Sequence, residues 1–287
     1  MAASLIQEDW TGEDVSVSQI ERELARLRDV TSEEGAQPNL RTSVMTHIAW
    51  VPQEWQSQAE ETLAGMAERH PSRTLLLVPD PDAEAGLDAQ VSIRCFPIGD
   101  RAICGEVIEL RLRGNRMYAP ASIVLPLLIS DLPVFCRWRG APPFGRVEFE
   151  QMVDVADRLI VDSGEWRESQ YDELAAIFGR TAVSDIAWAR TREWRLELAR
   201  YWPGIREQEI RIRGPRAEAT LLRAWLNTRL DRAIHAIDEA PALAVRLGGE
   251  ELPSPRTPTP SPSDLLSAEL DRFGRDPVFE DAVRAAG

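Results

Sequence analysis

Arginine set beside tryptophan is the most conspicuous chemistry in this chain. The stretch "DLPVFCRWRG" (131–140) opens on Asp131 and ends an apolar run in Arg137, Trp138 and Arg139, and "DIAWARTREWRLELA" (185–199) carries Trp188, Arg192 and Arg195. A guanidinium group grips carboxylates and phosphates in a planar fork and stacks on aromatic faces, and tryptophan and arginine are enriched where interfaces concentrate their binding energy. From 111 to 146 the charged residues are Arg111, Arg113, Arg116, Arg137, Arg139 and Arg146 against Asp131 alone, a basic zone inside a chain of formal net charge -14. Such a zone suits an anionic small molecule, an acidic protein surface, or a structural network of ion pairs with the acidic helices.

Other reactive constellations are scarce. The chain has no lysine among its 33 basic residues, which excludes a Walker A loop and any Schiff-base mechanism. It holds no GxGxxG, GxSxG or CxxC motif and no paired-histidine zinc motif, so no catalytic, cofactor-binding or metal-ligating residue is assigned. His47, His70 and His235 lie far apart, and His47, within an apolar run, reads as a hydrogen-bonded core histidine. Cys95, Cys104 and Cys136 sit in strand-like surroundings and read as buried thiols rather than a disulfide framework; an antiparallel pairing of their strands would bring Cys95 and Cys104 together as a redox pair. The acidic balance without a long basic block argues against nucleic acid. The longest apolar run, "IVLPLLI" (123–129), is far shorter than the roughly 20 residues that cross a bilayer, and "MAASLIQEDWTGED" lacks the pattern of a secretory signal. A cytoplasmic protein is expected.

The elements that must position the arginines follow from periodicity. "SVSQIERELARL" spaces Ile20, Leu24 and Leu27 as a helix over about 18–29, with Ser18 and Glu21 as its capping box. "TSVMTHIAWV", "QEWQSQAEETLAGMAERH" and "RTLLLVP" read as strand, helix and buried strand, a parallel βαβ unit. "AQVSIRCF" and "GEVIELRLRG" follow as strands, the second with one apolar and one charged face, which places it at an edge or along a cleft. Strand "LPVFCRW", a helix around "RVEFEQMVDVA" and strand "RLIVDS" complete an α/β domain over 35–165, behind an N-terminal segment (1–34) with one helix. Residues 166–252 read as a mostly helical α+β domain: a helix over 184–202 with a core stripe (Ala187, Thr191, Trp194, Leu198, Tyr201) beside a second one (Trp188, Arg192, Arg195, Trp202), and "EIRIRG" pairing with "LAVRLGG". A proline-rich linker (253–263) and a helical tail (264–287) follow, with Asp276 as N-cap and Pro277 at the first helical position. The fold class is therefore α/β: an open, largely parallel sheet flanked by helices, then a mostly helical α+β domain.

Six stretches together, "RTSVMTHIAWV", "HPSRTLLLVPDP", "EVIELRLRG", "SIVLPLLISDLPVFCRWRG", "DIAWARTREWRLELA" and "FGRDPVFEDAVR", resemble the glucose-6-phosphate dehydrogenase assembly proteins called OpcA, in order over about 40–285. The resemblance implies a non-enzymatic partner of glucose-6-phosphate dehydrogenase, without a cofactor, that promotes its assembly or activates it in the oxidative pentose phosphate pathway. Asp131, Arg137, Trp138, Arg139, Trp188, Arg192 and Arg195 are then the candidate contacts. The alternative is an enzyme or sensor that binds sugar phosphate or nucleotide in the basic zone 111–146.

Overall fold

Short apolar runs bounded by proline, glycine and aspartate become buried strands here, and the longer amphipathic segments become the helices that cover them. A computed structural model of the chain describes residues 6–34, 39–40, 43–66, 69–98, 101–234, 237–255 and 260–287, so His235 lies outside the described residues. Packing divides the chain into two units, Met1–Leu159 and Ile160–Gly287.

The first unit runs β1 (Ile6–Gly12), α1 (Val17–Glu34), β2 (Asn39–Leu40), β3 (Thr46–Trp50), α2 (Gln56–Ala64), β4 (Arg73–Asp80), β5 (Gly86–Ile98), β6 (Arg101–Arg113), α3 (Pro120–Val124), β7 (Val134–Trp138) and α4 (Val147–Val155), and reaches β8 (Arg158–Val161), inside which the division falls. Its strands are ordered β1-β5-β6-β4-β3-β7, with β2 beside β6. Pairs β3/β4, β3/β7, β4/β6 and β2/β6 are parallel, and β1/β5 and β5/β6 are antiparallel. The open, largely parallel sheet and the βαβ unit are as the sequence predicts. The charged-faced strand β6 is no edge, because it lies between β4 and β5.

One face of this sheet is sealed by α1, whose Ile20, Leu24 and Leu27 are buried with Leu75, Leu77, Ile108 and Leu110. Ser16, not Ser18, caps α1: its hydroxyl accepts from the Gln19 amide at 3.3 Å. Glu106 fastens α1 to the sheet, accepting from Arg28 Nε at 2.5 Å and Arg73 Nε at 2.8 Å. Burial alone would raise its carboxyl; the Arg28 and Arg73 guanidiniums outweigh this and hold it below the ordinary value. The other face is covered only in part, where Trp55, Ala59 and Leu63 pack on Ala49, Val51, Leu76 and Val78. Cys95 and Cys104 stand opposite each other on β5 and β6 and form a disulfide, which corrects the reading of these two as separate buried thiols. Cys136 is a buried free thiol, pushed up to about 12 by desolvation.

The second unit holds α5 (Tyr171–Ala176), β9 (Ala182–Asp185), α6 (Ile186–Arg190), α7 (Arg192–Ala199), β10 (Ile210–Gly214), α8 (Arg216–Leu230), β11 (Ile237–Glu239), β12 (Ala244–Leu247), β13 (Glu250–Glu251), α9 (Pro262–Leu270) and α10 (Pro277–Arg284). The expected pairing of "EIRIRG" with "LAVRLGG" is present as an antiparallel ladder, Ile210 opposite Leu247 and Ile212 opposite Val245. The single helix expected over 184–202 is instead strand β9 followed by two helices that meet at Thr191. Asp185 starts α6 as its N-cap, and a Thr191 hydroxyl turned back onto the Trp188 carbonyl at 2.8 Å accompanies the break. Beyond the proline-rich segment the chain does not hang free. Leu266, Leu270, Phe279, Ala282 and Val283 are buried, and α10 packs on α5 and α8 while α9 packs on α6. Asp276 caps α10 as expected, accepting from the Phe279 amide at 3.1 Å.

Candidate functional site

The parallel register of β3 and β7 sets Trp50 opposite Trp138. Their rings stack at 4.6 Å and 7°, and Phe149 of α4 meets Trp138 edge-on at 5.0 Å. Trp138 is therefore a core residue, and its neighbour Arg137 is buried too, its guanidinium donating to the Trp138 carbonyl. Arg139 leaves the sheet: its amide closes on the Trp50 carbonyl at 3.0 Å and its guanidinium lies 5.4 Å from the Trp55 ring, half-buried. Gly140 follows at φ 77°, a left-handed conformation that lets the chain turn away under Trp55. Asp131, exposed, occupies a left-handed position (φ 64°) in the turn before β7, one that aspartate tolerates better than most residues. Of this stretch, Arg139 and Asp131 are the side chains offered at the surface.

The basic zone is broken up by partners. Arg111 binds Asp80 at 2.6 Å, and Arg113 binds Asp14 and, at 3.0 Å, Asp88. Arg116 and Arg146 are exposed, near two exposed apolar side chains, Tyr118 and Val147. Gln151, one turn along α4 from Val147, ties this corner together by donating to the Tyr118 carbonyl at 3.0 Å.

In the second unit Trp188 is buried, with Arg195 3.5 Å above its ring, Phe279 at 5.8 Å and its indole N–H donating to Asp276 at 3.3 Å. Arg195 donates to the Thr191 hydroxyl at 3.0 Å, and burial lowers its guanidinium to about 10, still charged at neutral pH. Trp188 and Arg195 are thus packing residues. Arg192 is exposed and paired with Glu193 at 2.7 Å. Exposed apolar area on this unit comes instead from Leu196, Tyr201, Phe273 and Trp202, the last 53% exposed with Arg206 5.5 Å from its ring. Asp185 is fully buried and its carboxyl is pushed up to about 7, first by desolvation and then by the charge of Asp162.

The feature that sequence reasoning missed is a cavity of about 490 Å³ on the partly covered face of the first unit's sheet, between α2 and strands β3, β4, β6 and β5. Its floor is polar because alternate residues of these strands point to this side: His47, Thr74, Glu109, Gln90, Ser92 and Arg94. His47 is buried, yet its Nε2 has no hydrogen-bond partner among the described residues, which corrects its reading as a satisfied core histidine. Desolvation first, then the charges of Arg137 and His70, lower it to about 4, so the imidazole is neutral at neutral pH. Arg94 Nε is likewise buried without a partner. Glu109 accepts from Gln56 at 3.2 Å, and burial together with Glu60 raises its carboxyl. The signal in the sequence was polar residues at period two on strands whose other face is mostly apolar, with Arg73 and Glu106 the ion-paired exceptions. Among the described residues no group of three or more His, Cys, Asp or Glu is placed to hold a metal ion, and no helix is long and apolar enough to cross a membrane.

Residues 64–177 match the family described as "Glucose-6-phosphate dehydrogenase subunit N-terminal domain" within the OpcA assembly group. Three curated proteins, each named "Putative OxPP cycle protein OpcA", align as well: those of Synechocystis sp. (27% identical over 182 residues), Nostoc punctiforme (28% over 183) and Synechococcus elongatus (26% over 182). Each alignment covers 58% of this chain and 38%, 39% and 41% of the respective relative, so the matched region spans about two fifths of those proteins.

Proposed function

We propose that this chain, which is similar to the OpcA proteins over the matched region, is a non-catalytic assembly factor and activator of glucose-6-phosphate dehydrogenase, acting by direct binding. The observation that carries this reading is the family match over 64–177, the segment that contains the β7 turn and the exposed corner around it. That corner supplies Arg139 over Trp55, with Arg116, Tyr118, Arg146 and Val147 exposed on the same unit. Arginine and large apolar side chains without deep burial are the composition of an interface centre. Arg192, Leu196 and Trp202 offer a comparable surface on the second unit. The rival, a sugar phosphate or nucleotide held in the basic zone, is weakened because Arg111 and Arg113 already carry carboxylate partners.

The test is a dehydrogenase assay across glucose 6-phosphate concentrations, with and without this chain, alongside capture of the enzyme on immobilised protein. The wild-type chain should bind the enzyme and raise its activity, and should turn over no pentose-phosphate substrate alone. Arg139→Ala should weaken binding by about 1–2 kcal/mol, roughly tenfold, with an unchanged melting temperature. Neither capture nor a change in rate would sink the proposal.

A further inference from the structure

We propose that the cavity between α2 and the polar sheet face binds a small polyhydroxylated anion, with its acid group at Arg94 above the bare backbone of Gly105 and its hydroxyls along Ser92, Thr74, His47 and Glu109. The inference stands on the cavity alone and is independent of the partner proposed above. The register arranges the floor in rows. Gly105 lies opposite Arg94, Val107 opposite Ser92 and Thr74, and Glu109 opposite Gln90 and Leu76. Four residues along β6 place the Gly105 and Glu109 rows roughly 13 Å apart. The floor therefore runs from a cationic end, through neutral hydroxyl and imidazole groups, to an acidic end. Such a gradient orients a bifunctional molecule: an acid at one end, and hydroxyl groups whose hydrogens point to carboxylate acceptors at the other.

Three features point to a ligand rather than to a solvated surface. Buried polar atoms are almost always paired, yet among the described residues His47 Nε2 and Arg94 Nε both lack a hydrogen-bond partner, and both residues line this cavity. Neutral imidazole can accept from or donate to a hydroxyl, whereas a charged one would compete for the acid. Gly105 leaves the floor open where a side chain would stand; a Cβ there would meet only the Ser72 carbonyl, at 3.6 Å. Finally, Glu60 lies close enough to Glu109 to raise its carboxyl, so a second acid group is repelled from that end and the ligand has one polarity. Apolar contact comes from Leu63, Ala64, Met66, Leu76 and Val107, which suits the carbon face of a polyol better than a nucleobase. The volume lies within the usual range for small-molecule sites.

Calorimetry on the pure full chain, with glucose 6-phosphate, gluconate, glucose and inorganic phosphate as probes, tests this. At least one of the two polyol acids should bind saturably with one site per chain, and which of them binds identifies the acid as phosphate or carboxylate. Glucose and phosphate alone should bind at least about tenfold more weakly, since each makes only half of the contacts. Arg94→Gln should reduce the acid's affinity to that of the neutral sugar. Gly105→Val, a β-branched residue suited to a strand and with room for its Cβ, should fill the floor and abolish binding while the chain melts as the wild type does. No saturable heat from either polyol acid at millimolar concentration would overturn the proposal, as would binding left intact in Gly105→Val.

Discussion

Replacing Phe279 by alanine should unfold the second unit's core rather than trim a tail. The ring is wholly buried, 5.8 Å from Trp188 and 5.9 Å from Phe178. Removing it forfeits a transfer term of about 1.5–3 kcal/mol, and the cavity left between two large rings brings the total to about 3–5 kcal/mol. For a unit of this size, each kcal/mol lowers the midpoint by roughly 3–5 °C, so the transition reported by the tryptophans should drop by about 10–20 °C. Phe273, 67% exposed beyond the end of α9, is the matched control. Phe273→Ala should change stability by no more than about 0.5 kcal/mol. Thermal melts of the full chain, followed by near-ultraviolet circular dichroism, separate the two. A Phe279→Ala chain that melts with its control would show that α10 lies loosely on the unit and that the core closes without it.

Two further outcomes follow from the same unit. Asp185, held near 7 against an ordinary 3.8 by burial and by Asp162, keeps its proton in the folded state while the unfolded chain loses it; stability therefore falls as pH rises from about 4 to 7 and stays low above. Asp185→Asn retains an acceptor for the Ser163 and Ala187 amides and should melt higher than wild type at pH 8, with the gap closing near pH 4; a gap independent of pH would refute the assignment. Arg195→Ala should cost about 1–2 kcal/mol in urea denaturation because its guanidinium stacks on Trp188, whereas Arg192→Ala, exposed, should stay within about 0.5 kcal/mol; equal losses would show that both arginines share one environment.

Legibility differed between the two units for physical reasons. The β3-α2-β4 unit was readable because Leu75, Leu76 and Leu77 form a continuous apolar run that only a strand buried on both faces requires. The break at Thr191 was not, since Ala187, Thr191, Trp194 and Leu198 keep a helical spacing across it and all four are buried. Trp188 was taken for a surface residue because its cover, Phe279, comes from a distant segment that composition cannot place. The same blindness hid the site: the apolar surroundings of His47 announced its burial, but whether Nε2 finds a partner depends on the strands beside it. Trp138 and Arg137 were correctly placed at a strand end, yet the stacking on Trp50 that buries Trp138 is set by inter-strand register, which a single segment does not encode.

The bond between Trp188 and Asp276 joins residues 88 positions apart. A ribosome adds about 5–20 residues per second, so roughly 4–18 s pass between the synthesis of that indole and of the segment that caps it. Throughout this interval the nascent second unit carries an uncovered tryptophan and the apolar flank of α6, a surface that chaperones recognise. The core around Trp188 is therefore complete only once α10 has been made, and a released chain truncated before Phe279 should show redder tryptophan emission than the full chain.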